Sequence, residues 1–363
     1  MVNAKVAAVT LMGQKHMHRG VPCEDYSLAG ENNGVSVVVL SDGAGGKDYT
    51  HARYGSKITC DTVADILTKH FDAIYSENRE AAIKNLLIAA IHTNMADAIT
   101  SLGLDSLERL SCTLLFCAVK DRRVIIGHIG DGLIVRVSAS GISPFSMPQN
   151  GENASSTYFV TANHAADYLR ITKTTVDDLH GIALMTDGVQ DMVYDENSGL
   201  VRPVVARMTD TLKGSRESCE REVKSILEKY IVGSSNMSDD ASFGIVYFDR
   251  TPAPDSSKLP SQASSFTKNP RDTFKELQME WLPKVKKAKN VIINAGVNKP
   301  VFEKTAPAAQ PVSKHEQKAG EVMEDKIEDL EEHSKIGDGF VLGVIIGVLL
   351  SAILVGALYL VMF

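Results

Sequence analysis

The first 250 residues alternate short apolar runs with turns, which is the pattern of a folded domain that contains both sheets and helices. Runs of β-branched or apolar residues bounded by Gly, Asp or Ser predict β-strands. We expect strands at Ala4–Thr10, Val35–Leu40, Thr113–Ala118, Arg123–Ile129, Leu133–Ser138, Gly181–Met185 and Ser242–Phe248.

Two longer stretches carry apolar side chains at helical spacing. In Ala52–Tyr75 and in Glu80–Leu102 the large apolar residues fall on one stripe of a helix. A third helix is expected at Ser215–Tyr230. Because the strands and helices come in blocks and not in strict alternation, the pattern favours an α+β fold in which antiparallel sheets pack against helices.

Residues 251–339 differ in character from the first 250 residues. Their start is rich in Pro and Ser, as linkers are, and a short helix follows that we expect Pro283 to break or kink. Four lysines near this proline form either a solvated face or a surface that is attracted to anionic lipids. We interpret residues 251–339 as a partly disordered linker.

The last segment, Phe340–Phe363, is 24 residues long and contains no charged side chain. As a helix it would be about 36 Å long, which is enough to cross a hydrocarbon core of about 30 Å. We therefore predict a transmembrane tail anchor. Lys326 and Lys335 precede this segment and favour a single-pass orientation with the preceding domain in the cytoplasm.

The net charge of the chain excludes some classes of function. The 363-residue chain has 38 Lys and Arg against 45 Asp and Glu, a net charge of -7, and residues 251–339 contribute nothing to the excess. The acidity of residues 1–250 argues against a nucleic-acid partner. The five cysteines are scattered without a CxxC pair, so neither a disulfide framework nor a zinc ribbon is expected.

Three acidic residues share one context, in which an apolar strand ends close before Asp-Gly: Asp42, Asp131 and Asp187. A Glu24–Asp25 pair adds further carboxylates, as does an Asp239–Asp240 pair that directly precedes an apolar strand. One Asp-Gly is an ordinary turn pair. Several such carboxylates without a His or Cys array instead favour a hard cation such as Mg²⁺ or Mn²⁺.

The order and spacing of these motifs resemble the metal-dependent protein phosphatases of the 2C type. The resemblance covers about residues 8–248, and the Gly-x-Pro-Cys before Glu24–Asp25 is similar to the compact bacterial branch of that family. It implies a four-layer αββα sandwich over 1–250, two Mn²⁺ or Mg²⁺ ions, and a weaker third ion.

The resemblance also implies a role for each acidic residue. Asp42 would bridge the two ions, the Gly43 carbonyl and the Asp187 and Asp239 carboxylates would complete their ligands, and Glu24 and Asp25 would bind metal-coordinated waters. Asp191 would hold the third ion with Asp187, and Glu108 is a loosely aligned further ligand. Asp131 would orient the site without ligating.

Two positions depart from the family pattern. Ala44 stands where the family often has a His that could protonate the leaving group. Gly20 stands where the family often has an Arg that binds phosphate, and Arg19 is one residue away. We take Arg19 as the candidate phosphate-binding residue, with Lys15, His16 and His18 as alternatives.

The implied function is a phosphoserine/phosphothreonine protein phosphatase on the cytoplasmic face of a bacterial plasma membrane, with phosphoproteins and a cognate Ser/Thr kinase as partners. Two alternatives stay open: a pseudophosphatase that binds phosphoproteins, and a phosphatase of a sigma-factor regulator. The spacing Cys117-x5-Arg123 is that of cysteine phosphatases, but Cys117 lies in an apolar run and is expected to be a core residue.

Overall fold

Two five-stranded antiparallel sheets form the centre of the fold in the computed structural model, which describes residues 2–149, 157–235, 238–250 and 270–297. The strands in these ranges are β1 (Val2–Leu11), β2 (Tyr26–Asn32), β3 (Val35–Ser41), β4 (Leu114–Lys120), β5 (Arg123–Ile129), β6 (Leu133–Ser138), β7 (Gly141–Ser146), β8 (Arg170–Thr175), β9 (Leu179–Met185), β10 (Tyr194–Asp195), β11 (Leu200–Val201) and β12 (Ala241–Arg250). The strand order is β1-β12-β9-β6-β7 in the first sheet and β2-β3-β4-β5-β8 in the second, while β10 and β11 pair separately.

The described ranges contain helices that cover the outer faces of both sheets and others that lie at their edges or outside them. They are α1 (Gln14–Arg19), α2 (Ala52–Ser76), α3 (Glu80–Leu102), α4 (Ala165–Tyr168), α5 (Asp187–Val193), α6 (Val204–Asp210), α7 (Arg216–Tyr230) and α8 (Pro270–Val297). Short 3₁₀ turns lie at Leu107–Leu110, Thr211–Lys213 and Val232–Ser234.

Three apolar cores hold the layers together. Val38, Leu40 and Leu184 belong to the core between the two sheets. The second sheet packs on α2 and α3, and the first sheet packs on α6 and α7. The arrangement is the predicted αββα sandwich, in which each sheet buries both of its faces.

The predicted strands are present, and Arg123–Ile129 and Leu133–Ser138 have the predicted bounds. The strands without a sequence prediction include β2, β7 and β8, which are all edge strands. Their residues are mostly half-buried, whereas β3 is buried along its whole length. These three edge strands lack a continuous apolar run because one of their sides has no neighbouring strand, and their sequence pattern is correspondingly weak, unlike that of the edge strand β1.

Helix α8 falls in the region that the sequence suggested was a linker. It runs through Pro283 without ending there, and Phe274, Leu277 and Ile292 on its inner face are buried against the α2–α3 layer. Of the two expected effects of Pro283, a break or a kink, the break does not occur. The part of 251–339 that the structure describes forms an additional helix outside the four layers.

None of the helices in the described ranges is both long enough and apolar enough to span a lipid bilayer. The predicted span at Phe340–Phe363 lies outside the described residues.

The packing of α8 can be tested by hydrogen exchange. Phe274→Ala removes a fully buried ring from the α8 interface, and Phe→Ala changes in cores cost about 3–5 kcal/mol. We expect amide exchange in α8 to accelerate at least about a hundredfold while the central strands stay protected. Met279→Ala is the matched control, because Met279 is 73% exposed on the same helix. Unchanged exchange in α8 of the Phe274 variant would contradict this packing.

Candidate metal centre

Three carboxylates meet at one edge of the sandwich. Oxygen atoms of Asp42, Asp131 and Asp187 all lie within 4.8 Å of one another. Asp42 follows β3 and Asp131 follows β5, so both extend from the second sheet, while Asp187 follows β9 of the first sheet. The site is therefore formed where strand ends of the two sheets come together.

Hydrogen bonds to Thr113 fix the position of Asp42. The Asp42 amide donates to Thr113 Oγ1 at 3.0 Å, and the Thr113 amide donates to the Asp42 carbonyl at 2.8 Å. Ser41 Oγ donates to the Thr113 carbonyl at 2.6 Å. This ladder extends the pairing of β3 with β4 beyond the ends of both strands, and it holds the Asp42 side chain at the rim.

Each of the three clustered acids is followed by a glycine for a steric reason. A Cβ on Gly43 would lie 2.6 Å from the Glu24 carbonyl oxygen, and one on Gly132 would lie 2.5 Å from the Met185 carbonyl oxygen. A Cβ on Gly188 would collide with the Asp240 carbonyl oxygen. The Asp-Gly pattern thus reflects close backbone approach between segments that carry the acids.

Asp25 is buried beside this group. Its Oδ2 accepts a hydrogen bond from Thr186 Oγ1 at 2.9 Å, and Thr186 directly precedes Asp187. Glu24 is half-buried, and its carbonyl accepts from Ser56 Oγ at 2.7 Å. The segment that carries Glu24 and Asp25 therefore lies next to the three-carboxylate group.

Asp240 has a structural role that the sequence did not reveal. Its carboxylate accepts hydrogen bonds from the Gly13 amide at 2.7 Å, the Glu24 amide at 2.7 Å and His16 Nδ1 at 2.8 Å. These bonds attach α1 and the Glu24 segment to the start of β12. The neighbouring Asp239 is only half-buried, and its Oδ2 lies 2.8 Å from Lys15 Nζ.

Burial and mutual repulsion strongly raise the pKa values of these acids. Burial, with added repulsion from Asp240, raises the pKa of Asp25 to about 8. Burial and the nearby Asp131 raise the pKa of Asp187 to about 7. The pKa of Asp42 lies well above its ordinary value, because of burial and the charges of Asp187, Asp25 and Asp131. Carboxylates that are buried and repel one another in this way are stabilised in their ionised form when a cation binds to them.

The chemistry of the site fits a divalent metal ion. Asp25 Oδ1 and Asp131 Oδ1 are buried and have no hydrogen-bond partner in the described part of the chain. The three grouped side chains offer only carboxylate oxygens, the ligands that Mg²⁺ and Mn²⁺ prefer. The Asp131 carboxylate also belongs to this group, so it lies next to the predicted ligands Asp42 and Asp187 that it was expected to orient.

Comparison with known proteins decides the family. The model of the family described as Protein phosphatase 2C matches residues 12–228. The chain belongs to this family. It is accordingly a metal-dependent Ser/Thr phosphatase by class, and enzymes of this family use Mn²⁺ or Mg²⁺. A search of curated proteins gave no match.

Solved phosphatase structures have a similar fold. A bacterial serine phosphatase is 15% identical, with a TM-score of 0.50 over 69% of this chain and 100% of that chain. The catalytic domain of the phosphatase PstP, in complex with two manganese ions, is 15% identical over 68% and 99% of the chains, with a TM-score of 0.47. Stp1 from Staphylococcus aureus is 16% identical over 69% and 96%, with a TM-score of 0.48. The first similarity supports the phosphatase 2C fold.

The other predicted site residues of this phosphatase 2C chain lie further out. Asp191 is exposed one turn after Asp187 in α5, and burial and Asp131 raise the pKa of its carboxyl. Glu108 is exposed in the 3₁₀ turn at Leu107–Leu110 and is not part of the three-carboxylate group. Arg19 is exposed at the end of α1.

The cysteines provide no alternative phosphatase chemistry. Cys117 is fully buried in β4, and burial raises the pKa of its thiol. A buried thiol of this kind is protonated at neutral pH and cannot act as a nucleophile. Cys117 is therefore a core residue, as its apolar surroundings in the sequence indicated.

Metal binding should depend on pH in a defined direction. Because the pKa values of Asp25 and Asp187 are raised on folding, these groups stabilise the metal-free fold at low pH. That stabilisation is lost as the pH rises from about 4 to about 8. Mn²⁺ replaces the bound protons, so the Mn²⁺-induced rise in Tm should be larger at pH 8 than at pH 6.

Thermal unfolding with Mn²⁺ or EDTA measures this effect. Asp187→Asn should abolish most of the Mn²⁺-induced rise, whereas the exposed Asp65→Asn control on α2 should keep it. An equal Mn²⁺-induced rise at both pH values, or one that survives in the Asp187 variant, would contradict the assignment.

Proposed function

We propose that this chain removes phosphate from phosphoserine and phosphothreonine residues of proteins at the three-carboxylate group. The observation that supports this proposal most strongly is the convergence of Asp42, Asp131 and Asp187 from both sheets. An intact group of this kind also favours catalysis over the alternative of a phosphoprotein-binding pseudophosphatase.

Two Mn²⁺ or Mg²⁺ ions would be held mainly by Asp42, Asp187, Asp239 and the Gly43 carbonyl, with Asp131 and Asp191 available for a weaker third. When bound, such ions lower the pKa of a coordinated water and neutralise charge on phosphoryl oxygens. Family membership supports the ions, and the buried carboxylate oxygens without partners support their location.

Glu24 and Asp25 would position the attacking water. Asp25 Oδ1 has no described hydrogen-bond partner and can accept one from a water, while Thr186 holds Oδ2. Burial raises the pKa of Glu24 to about 6, partly offset by His16, so its carboxyl can hold or release a proton near neutral pH. Hydrogen bonds from the Glu24 amide and to its carbonyl fix its backbone.

The leaving alcohol has no acid from the protein at position 44. Ala44 is buried and carries no proton, in contrast to the His that the family often has there. Phosphate esters with a good leaving group depend less on protonation of the leaving oxygen. We therefore expect aryl phosphates to be hydrolysed faster than phosphothreonine peptides.

The catalytic proposal is tested by hydrolysis of an aryl phosphate and a phosphothreonine peptide with the full chain. Activity should require Mn²⁺ or Mg²⁺, and EDTA should abolish it. Asp42→Asn should reduce kcat/KM by about 100-fold or more, because even groups that only support a metal ligand cost about 10–100-fold. The exposed Asp65→Asn variant is the control. Activity that survives EDTA and Asp42→Asn would overturn the proposal.

Tethering to a membrane is a second part of the proposal. The uncharged segment Phe340–Phe363 supports it, and residues 298–339 would separate that anchor from α8. The catalytic domain would then act on cytoplasmic phosphoproteins near a bacterial plasma membrane, opposite a Ser/Thr kinase that also works there.

Cell fractionation tests the tether separately from catalysis. The full chain should sediment with membranes and resist extraction by high salt or alkaline carbonate. A chain ending at residue 339 should be released to the soluble fraction and keep its phosphatase activity. A full chain that remains soluble would contradict the anchor and leave the catalytic proposal intact.

A further inference from the structure

The predicted phosphate-binding residue does not reach the carboxylate group. Arg19 is exposed in the last turn of α1, before the left-handed residue Gly20. Among the described residues, no hydrogen bond or ion pair joins its side chain to a site carboxylate. A helix turn is about 5.4 Å long, so a residue one turn earlier on the same face lies closer to the start of α1. Lys15 occupies that position.

The Lys15 ammonium already lies at the rim of the site. Its Nζ is 2.8 Å from Asp239 Oδ2, and the two side chains are 28% and 41% exposed. Its charge also offsets part of the rise that burial causes in the pKa of Glu24. Among the lysines and arginines of the described ranges, Lys15 alone forms an ion pair with one of the predicted site carboxylates.

The backbone around Lys15 is fixed by the segment that carries Asp239. The Lys15 amide donates to the Ser238 carbonyl at 3.1 Å, and the Gln14 amide donates to Ser238 Oγ at 3.2 Å. The Gly13 amide donates to Asp240 Oδ1, and a Cβ on Gly13 would collide with the Asp239 carbonyl group. The first turn of α1 therefore cannot move away from the site without breaking several hydrogen bonds.

A substrate phosphate needs such a cation. It is an anion that must approach a rim rich in carboxylates, and a lysine at the mouth of the site offsets that repulsion. We propose that Lys15, and not Arg19, binds the phosphoryl group of the substrate in this chain, which is an inference that rests on the proposed function.

Lysine suits this location because of its shape. Its ammonium is a point charge with three donors on a flexible stem, so it can keep one bond to Asp239 and direct another donor to a phosphoryl oxygen. In the absence of substrate it pairs with Asp239, as observed. An arginine would make a bidentate contact with the phosphoryl group, which a lysine cannot make.

The test compares Lys15→Ala, Lys15→Arg and Arg19→Ala in the full chain with Mn²⁺. Losing a hydrogen bond from a charged donor costs about 1.5–3 kcal/mol, so Lys15→Ala should raise KM for an aryl phosphate and Ki for inorganic phosphate by about tenfold or more. Lys15→Arg should keep KM for the aryl phosphate and Ki for inorganic phosphate close to their wild-type values. Lys229→Ala, an exposed lysine on α7, is the matched control.

Two binding titrations complete the test. Calorimetry with Mn²⁺ should show equal or tighter binding for Lys15→Ala, because the variant lacks the ammonium that pairs with Asp239. Calorimetry with inorganic phosphate should show weaker binding, and this holds even if the wild-type chain proves inactive. The inference is overturned if Arg19→Ala, and not Lys15→Ala, weakens phosphate binding, or if Lys15→Ala loses Mn²⁺ binding as well.

Discussion

The fold concentrates negative charge at one edge of two packed sheets, and the rest of the site depends on how that charge is neutralised. Burial and repulsion raise the pKa values of Asp42, Asp25 and Asp187 together. An anionic group of this kind is unfavourable without a proton or a cation. A divalent ion can replace several protons at once, which links the stability of the metal-free chain to the chemistry of the loaded enzyme.

The sandwich supplies the rigidity that holds these charges in place. The apolar core between the sheets fixes the relative position of β3, β5 and β9, so the acids that follow them cannot separate to relieve repulsion. Asp240 adds hydrogen bonds that hold the site together, since its carboxylate attaches α1 and the Glu24 segment to the start of β12, more than 200 residues away in sequence. Packing and hydrogen bonding therefore offset the electrostatic cost of the site.

Much of this arrangement could be predicted from the sequence. The interior strands were recognisable as apolar runs, and the acids were recognisable because they follow those runs before glycine. The edge strands β2, β7 and β8 were not, because half-exposed positions leave a mixed pattern. The length of helix α8 was not predictable either, because a proline inside a helix usually ends it, whereas here the buried residues from Phe274 to Ile292 hold the helix together across Pro283.

The finer geometry of the site could not be predicted. In the Asp239–Asp240 pair, the choice of which side chain turns inward depends on donors from Gly13, His16 and Glu24, more than 200 residues away. The same holds for Lys15, whose location follows from the contact of α1 with Ser238. Such tertiary hydrogen bonds leave no periodic signal in the sequence.

Anomalous diffraction at the manganese absorption edge, from crystals of the chain grown with Mn²⁺, tests the central claim most directly. The account predicts manganese peaks in contact with the carboxylates of Asp42 and Asp187. Manganese bound elsewhere, with no peak at the three-carboxylate group, would contradict it.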